Sequence, residues 1–157
     1  MREDIKEILS SFFKQSSTDN LSSKHFPPFY SGLKLKVGFG KGNAAKISWI
    51  TFLGKDQKPQ NGIFPVYYFF KEHHKLILAY GISETNIPNR NWFISPGTKT
   101  ITKYFNTFGI TPHKYGLSYV YEVYSTYTDL DWNKIEIDLD ALLEKYKKIL
   151  EPKSWFI

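Results

Sequence analysis

The chain has no cysteine and a single methionine. Without thiols there is no disulfide framework and no thiolate metal site, so the fold has to be held by its core. No apolar run approaches the roughly 20 residues that a membrane-spanning helix requires. The opening residues, Met1-Arg2-Glu3-Asp4, bring acids where a secretory signal would bring basic residues and then an apolar stretch. Together these absences predict a cytoplasmic protein. Acid is also scarcer than base: 15 Asp+Glu against 21 Lys+Arg leave a formal net charge of +6, and an excess of that sign favours an anionic partner.

What is abundant is aromatic surface. Phe, Tyr and Trp make up 18% of the 157 residues, within a hydrophobic content of 41%. A chain this long buries roughly two thirds of its unfolded surface, enough for one domain without staples. Rings beside lysines are what proteins use to stack on unpaired bases, but the same rings also build cores. The composition therefore fits a nucleic-acid binder, and equally an aromatic-cavity domain for a small molecule or a protein whose positive charge is incidental.

Periodicity predicts the elements. Ile5, Ile8, Leu9, Phe12 and Phe13 lie on one helical face, with Glu3 and Asp4 at the favourable end, giving a helix over about 3–16. Ser- and Asn-rich residues and Pro27-Pro28 make 17–32 a connecting arm. Leu33, Leu35, Val37 and Phe39 alternate with Lys34, Lys36 and Gly38, a strand with one buried and one basic face. It runs into Gly38-Phe39-Gly40-Lys41-Gly42-Asn43, a tight glycine loop tipped by lysine, and Ile47 to Leu53 resumes an apolar strand.

After the turn signal Asn61-Gly62, Ile63 to Phe70 and Lys75 to Tyr80 read as an antiparallel pair, with Pro65 pointing to an edge or bulged position. Thr98 to Phe108 places Ile101, Tyr104, Phe105 and Phe108 on one helical face, ended by Gly109. A basic aromatic loop, Pro112-His113-Lys114-Tyr115-Gly116, leads to a strand over Ser118 to Tyr124. A last helix begins at Asp138 and stops at Pro152, with Asp138 and Asp140 as cap and first-turn acids. The order predicts a single-domain α+β fold around a largely antiparallel sheet.

Enzymatic signatures fail one by one. A P-loop needs Gly-Lys followed by Ser or Thr, and here Gly40-Lys41 is followed by Gly42. His73 and His74 are adjacent and so diverge, while His25 and His113 have no ligand spacing. Asp129-x-Asp131 and Asp138-x-Asp140 lack the glycine and distal acid of a calcium loop. No G-x-S-x-G nucleophile motif occurs. The reading is a binding domain, with no metal and no cofactor expected.

Several blocks recur in a family order. They are Leu35-Lys36-Val37-Gly38-Phe39-Gly40-Lys41-Gly42-Asn43, Ser48-Trp49, Phe52-Leu53-Gly54, Asn61-Gly62-Ile63-Phe64-Pro65-Val66, Leu78-Ala79-Tyr80-Gly81-Ile82-Ser83, Asn86, and Lys114-Tyr115-Gly116 with Ser118-Tyr119. In order and spacing they resemble the N-terminal DNA-binding domain of the McrB family of modified-cytosine restriction proteins, over about residues 1–150. The resemblance implies a module that binds double-stranded DNA carrying a methylated cytosine after a purine and turns that base out into an aromatic pocket. It also implies a longer setting, in which a GTP-hydrolysing AAA+ motor works with a separate McrC-like nuclease subunit.

Carried over block by block, the resemblance implies a pocket of Trp49, Phe64, Tyr68 and Tyr115. The loop Gly40, Lys41, Gly42 and Asn43 would fill the gap left in the DNA, and Lys34, Lys36, Lys46 and Lys114 would meet phosphates. Three positions depart from the family pattern. Lys41 stands where an aromatic is usual, Phe64 where a tyrosine is, and Tyr68 where a smaller aliphatic residue is. The last two change the polarity and bulk available to a modified base.

Overall fold

Six strands form one antiparallel sheet whose order in space is their order in the chain. The computed structural model describes residues 4–151; Glu3 and Pro152, expected at the two helix ends, lie outside the described residues. The elements are α1 (Ile5–Ser16), β1 (Phe29–Tyr30), β2 (Leu33–Gly38), β3 (Ile47–Leu53), β4 (Ile63–Phe70), β5 (Lys75–Ile82), α2 (Ile101–Asn106), β6 (Tyr119–Ser125) and α3 (Trp132–Leu150). The α+β architecture read from the sequence is the one observed.

Antiparallel partners project to the same side, so the register sorts the side chains into two faces. Ile50 opposite Tyr67, and Tyr67 opposite Leu78, belong to a back face. Trp49 opposite Tyr68, and Tyr68 opposite Ile77, belong to a front face. Every residue of β4 is buried, because this central strand is covered on both sides.

Two helices cover the back. In α1, Asp4 caps the amide of Lys6 at 2.9 Å, and Phe12 packs its ring against Phe39 and Phe69 at 5.7 and 6.2 Å. Ser16 then bonds Ser48 of β3 at 2.7 Å. In α3 the stripe Ile135, Leu139, Leu142, Leu143 and Tyr146 is buried. The Tyr146 hydroxyl accepts from the Gly54 amide and donates to the Ile63 carbonyl, both at 2.9 Å, which fastens the helix to two strand ends. The arm over 17–32 is pinned as well: Gln15 donates to the carbonyls of Asn20 and Ser22, while Phe26 and Tyr30 are buried.

Three expectations need correction. The last helix begins at Trp132, and its cap is Asp131, which accepts from the Lys134 amide at 3.1 Å. Ile135 extends the apolar stripe one turn earlier than Leu139, and Asp138 lies within the helix, accepting from Tyr124 and Lys134 at 2.7 Å each. Helix α2 is shorter than the periodicity implied and leaves Phe108 61% exposed, because the chain tightens after Asn106 and turns through Gly109 at φ 72°. Pro65 sits in a central strand. The ladder to β3 ends at the Thr51–Val66 pair, however, so at Pro65 the strand pairs only with β5, a setting that proline tolerates.

Candidate functional site

The front face carries the candidate site. It is covered in part by α2, whose Phe105 meets Phe70 at 4.8 Å, and in part by the segment that leads from α2 to β6. Trp49 and Tyr68 are directly opposed across β3 and β4. Tyr115, from the covering segment, stacks on Tyr68 with ring centroids 4.4 Å apart and planes 14° from parallel. The Trp49 indole, whose N–H is a donor only, lies beside the Tyr115 hydroxyl and acts on its pKa in the lowering direction. Three of the four pocket residues expected from the sequence therefore form one cluster.

Phe64 is on the same face but outside that cluster. It lies four residues before Tyr68 on β4, about 13 Å along the strand, and its ring rests on Gly81, where an added Cβ would collide with it. Trp49 is seated in the same manner across Gly38 of β2. Glycine at these two strand positions gives each ring a flat bed on the neighbouring backbone, a close approach that glycine in a strand often marks. Gly38 and Gly81 both stand in the family-like blocks, but their role as ring seats was not legible there.

Tyr68 is buried beneath Tyr115. Beside its hydroxyl lies the side chain of Ser118, itself fully buried, whose oxygen accepts from the Ile82 amide at 3.1 Å. Burial pushes the Tyr68 hydroxyl well above the ordinary tyrosine range, with Ser118 opposing in part. Burial also raises Tyr115, helped by the nearby Glu84 carboxylate and opposed by Trp49. Both phenols are thus neutral at physiological pH and serve as hydrogen-bonding groups. Tyr115 is held in the left-handed region at φ 68°, and its amide donates to Glu84 at 3.2 Å. A bulky residue in that conformation is uncommon and strained.

The glycine loop lies at the end of the face next to Trp49. Gly40 and Gly42 take φ of 116° and 75°, conformations that suit glycine, and Ala45 donates to Phe39 at 2.8 Å to close the loop. Lys41 and Asn43 are exposed at its tip. The expected phosphate contacts come from three segments: β2, the residue after the glycine loop, and the segment that carries Tyr115. Lys36 projects on the front face opposite Thr51, beside the Gly38–Trp49 seat. Lys34 is further along β2, in a groove of about 510 Å³ shared with Phe29, Lys55 and Lys147. Lys46 follows the glycine loop, and Lys114 precedes Tyr115, each exposed.

Sequence reasoning missed Ser118 and Glu84 as partners of the two stacked tyrosines. A signal for Ser118 was its place in the Lys114-Tyr115-Gly116-x-Ser118 block; nothing marked Glu84. Among the described residues no group of three His, Cys, Asp or Glu side chains could hold a metal ion, and no helix is long and apolar enough to cross a membrane.

No protein-family model matches the chain. It is 39% identical over 150 residues to the McrB subunit (EcoKMcrB) of the type IV methyl-directed restriction enzyme of Escherichia coli strain K12. The match takes in 94% of this chain and 33% of the relative, so the chain spans about a third of that protein's length. Through nearly all of its residues, this chain is similar to the N-terminal part of that McrB subunit.

Proposed function

We propose that this chain is a DNA-reading module that recognises a methylated cytosine by turning the base out of the duplex onto the Trp49, Tyr68 and Tyr115 surface. The observation that carries the reading is the register pairing of Trp49 with Tyr68 beneath a stacked Tyr115, in a relative of a methyl-directed restriction subunit. Stacking an extruded base returns on the order of 1–3 kcal/mol, which offsets part of the few kcal/mol that unstacking and unpairing cost.

A separation of 4.4 Å is that of a single stacked pair, so no base fits between Tyr68 and Tyr115 as they stand. Entry consists of Tyr115 leaving Tyr68, with the base taking over its stacking partner. Tyr115, whose backbone is already strained, is tethered by its amide to Glu84 and by its carbonyl to the Ser118 amide. The Tyr68 and Tyr115 hydroxyls and the indole N–H are then the groups that meet the polar edge of the base. Phe64 is the far end of the same aromatic strip.

The loop Gly40, Lys41, Gly42 and Asn43 would enter the gap in the duplex. Lys41 would fill it with its aliphatic stem while its ammonium reaches a phosphate. Lys34, Lys36, Lys46 and Lys114 supply backbone contacts that position the duplex without reading sequence. In this reading the module addresses the DNA for an AAA+ GTPase motor and an McrC-like nuclease. Titration of matched methylated and unmethylated duplexes at one salt concentration tests it: tighter binding to the methylated duplex is expected, and equal affinities would overturn it.

A further inference from the structure

One pleat from the aromatic cluster, the front face ends in a small cavity that the reading above does not use. Ile47 and Phe70, register partners two residues beyond Trp49 and Tyr68, form its floor. Its volume is about 80 Å³, room for several waters or one tetrahedral oxyanion. Three nitrogen-bearing side chains from three separate segments line it: Lys46 after the glycine loop, His73 from the turn between β4 and β5, and His113 from the segment that carries Tyr115.

We infer that this notch binds one phosphate group of the DNA backbone beside the nucleotide held at the aromatic site. The inference rests on the DNA-reading proposal above and adds His73 and His113 to its contacts. The chemistry favours an anion. A lysine ammonium brings a full positive charge, and each imidazole has at least one N–H to donate even when neutral. Thr111 adds a hydroxyl at the rim. The one opposing group is Glu72, which is exposed and therefore solvated. His73 is oriented by its ring contact with Phe105, at 5.5 Å between centroids.

Position supports the same ligand. His113 is two residues from Tyr115, so a phosphate seated in the notch lies beside a base that replaces Tyr115 on Tyr68. The phosphate of that nucleotide, or of its neighbour, is the anion that this geometry brings there. Inorganic phosphate shares the chemistry and is the alternative source.

The test uses the intact chain, a methylated duplex and the double variant Lys46→Ala/His113→Gln. Both positions are exposed, and an unchanged melting temperature verifies the fold. The expected result is a roughly tenfold loss of duplex affinity and a salt dependence shallower by about one charge. Unchanged affinity and slope would overturn the inference. In parallel, the ring signals of His73 and His113 should shift when duplex is added but not with inorganic phosphate at the same concentration. Equal shifts with inorganic phosphate would reassign the notch to a free anion and overturn it as a DNA contact. The preference of the unaltered chain for methylated over unmethylated duplex, read in the same titrations, separately decides the reader proposal.

Discussion

The two faces of the sheet use similar residues to opposite ends. On the back, rings and aliphatic side chains from α1 and α3 are locked into the strands, and the Tyr146 hydroxyl is bonded in place between Gly54 and Ile63, although the buried Tyr67 hydroxyl has no hydrogen-bond partner among the described residues. On the front, Trp49 and Tyr68 are covered only by a segment without regular structure, through a stacked ring on a residue at φ 68° whose amide bonds Glu84. The difference teaches where binding can occur. A face sealed by helix packing gives up contacts only by losing stability. A face sealed by one strained loop residue is where, under the proposal above, a ligand ring would take that residue's place.

The contrast can be broken most strongly with alkali. Burial raises the hydroxyls of Tyr67, Tyr68, Tyr124 and Tyr146 well above the ordinary tyrosine range. A raised folded-state pKa means that the folded chain holds the proton more tightly than the unfolded one. Its stabilising contribution is complete below about pH 10, the unfolded tyrosine value, and is lost as pH rises through the folded-state values. Urea midpoints should be flat from neutral pH to the ordinary tyrosine range and fall steeply above it. A fall beginning well below pH 9 would place the sensitive groups elsewhere.

Next in size is a cavity behind the sheet. Leu142→Ala removes a fully buried side chain of α3 and should cost about 2–5 kcal/mol in denaturant unfolding. Under conditions where the variant is folded, the ratio of affinities for methylated and unmethylated duplex should stay the same. On the front, Trp49→Ala should do the reverse. It should lower affinity for the methylated duplex by about 1–3 kcal/mol, erase the preference, and move the unfolding midpoint less than Leu142→Ala does. The smallest change is expected from Lys36→Ala, which should weaken both duplexes alike and flatten the salt slope by about one charge.

Much of the fold was legible because local chemistry and tertiary demand agree. The alternation in Leu33 to Phe39 and the apolar run Ile63 to Phe70 became β2 and β4 at nearly the expected bounds. Where they part, a long-range partner decided. Asp138 resembled a cap until Tyr124 and Lys134 supplied partners inside the helix, and Pro65 resembled an edge residue because only register shows where a ladder ends. The site was legible as residues but not as a shape. Alternation put Phe64 and Tyr68 on one face, yet four residues of strand separate them, and the pairing of Trp49 with Tyr68 is set by a register that no local pattern encodes. The stacking of Tyr115 joins positions 47 residues apart in sequence, and only the folded chain displays it.

A crystal structure of the chain bound to a methylated duplex tests the central claim most directly. The 5-methylcytosine is expected outside the helix, its ring on Tyr68 within reach of Trp49, with Tyr115 displaced from its stacked position. A complex in which every base remains paired while Tyr115 still lies on Tyr68 would contradict it.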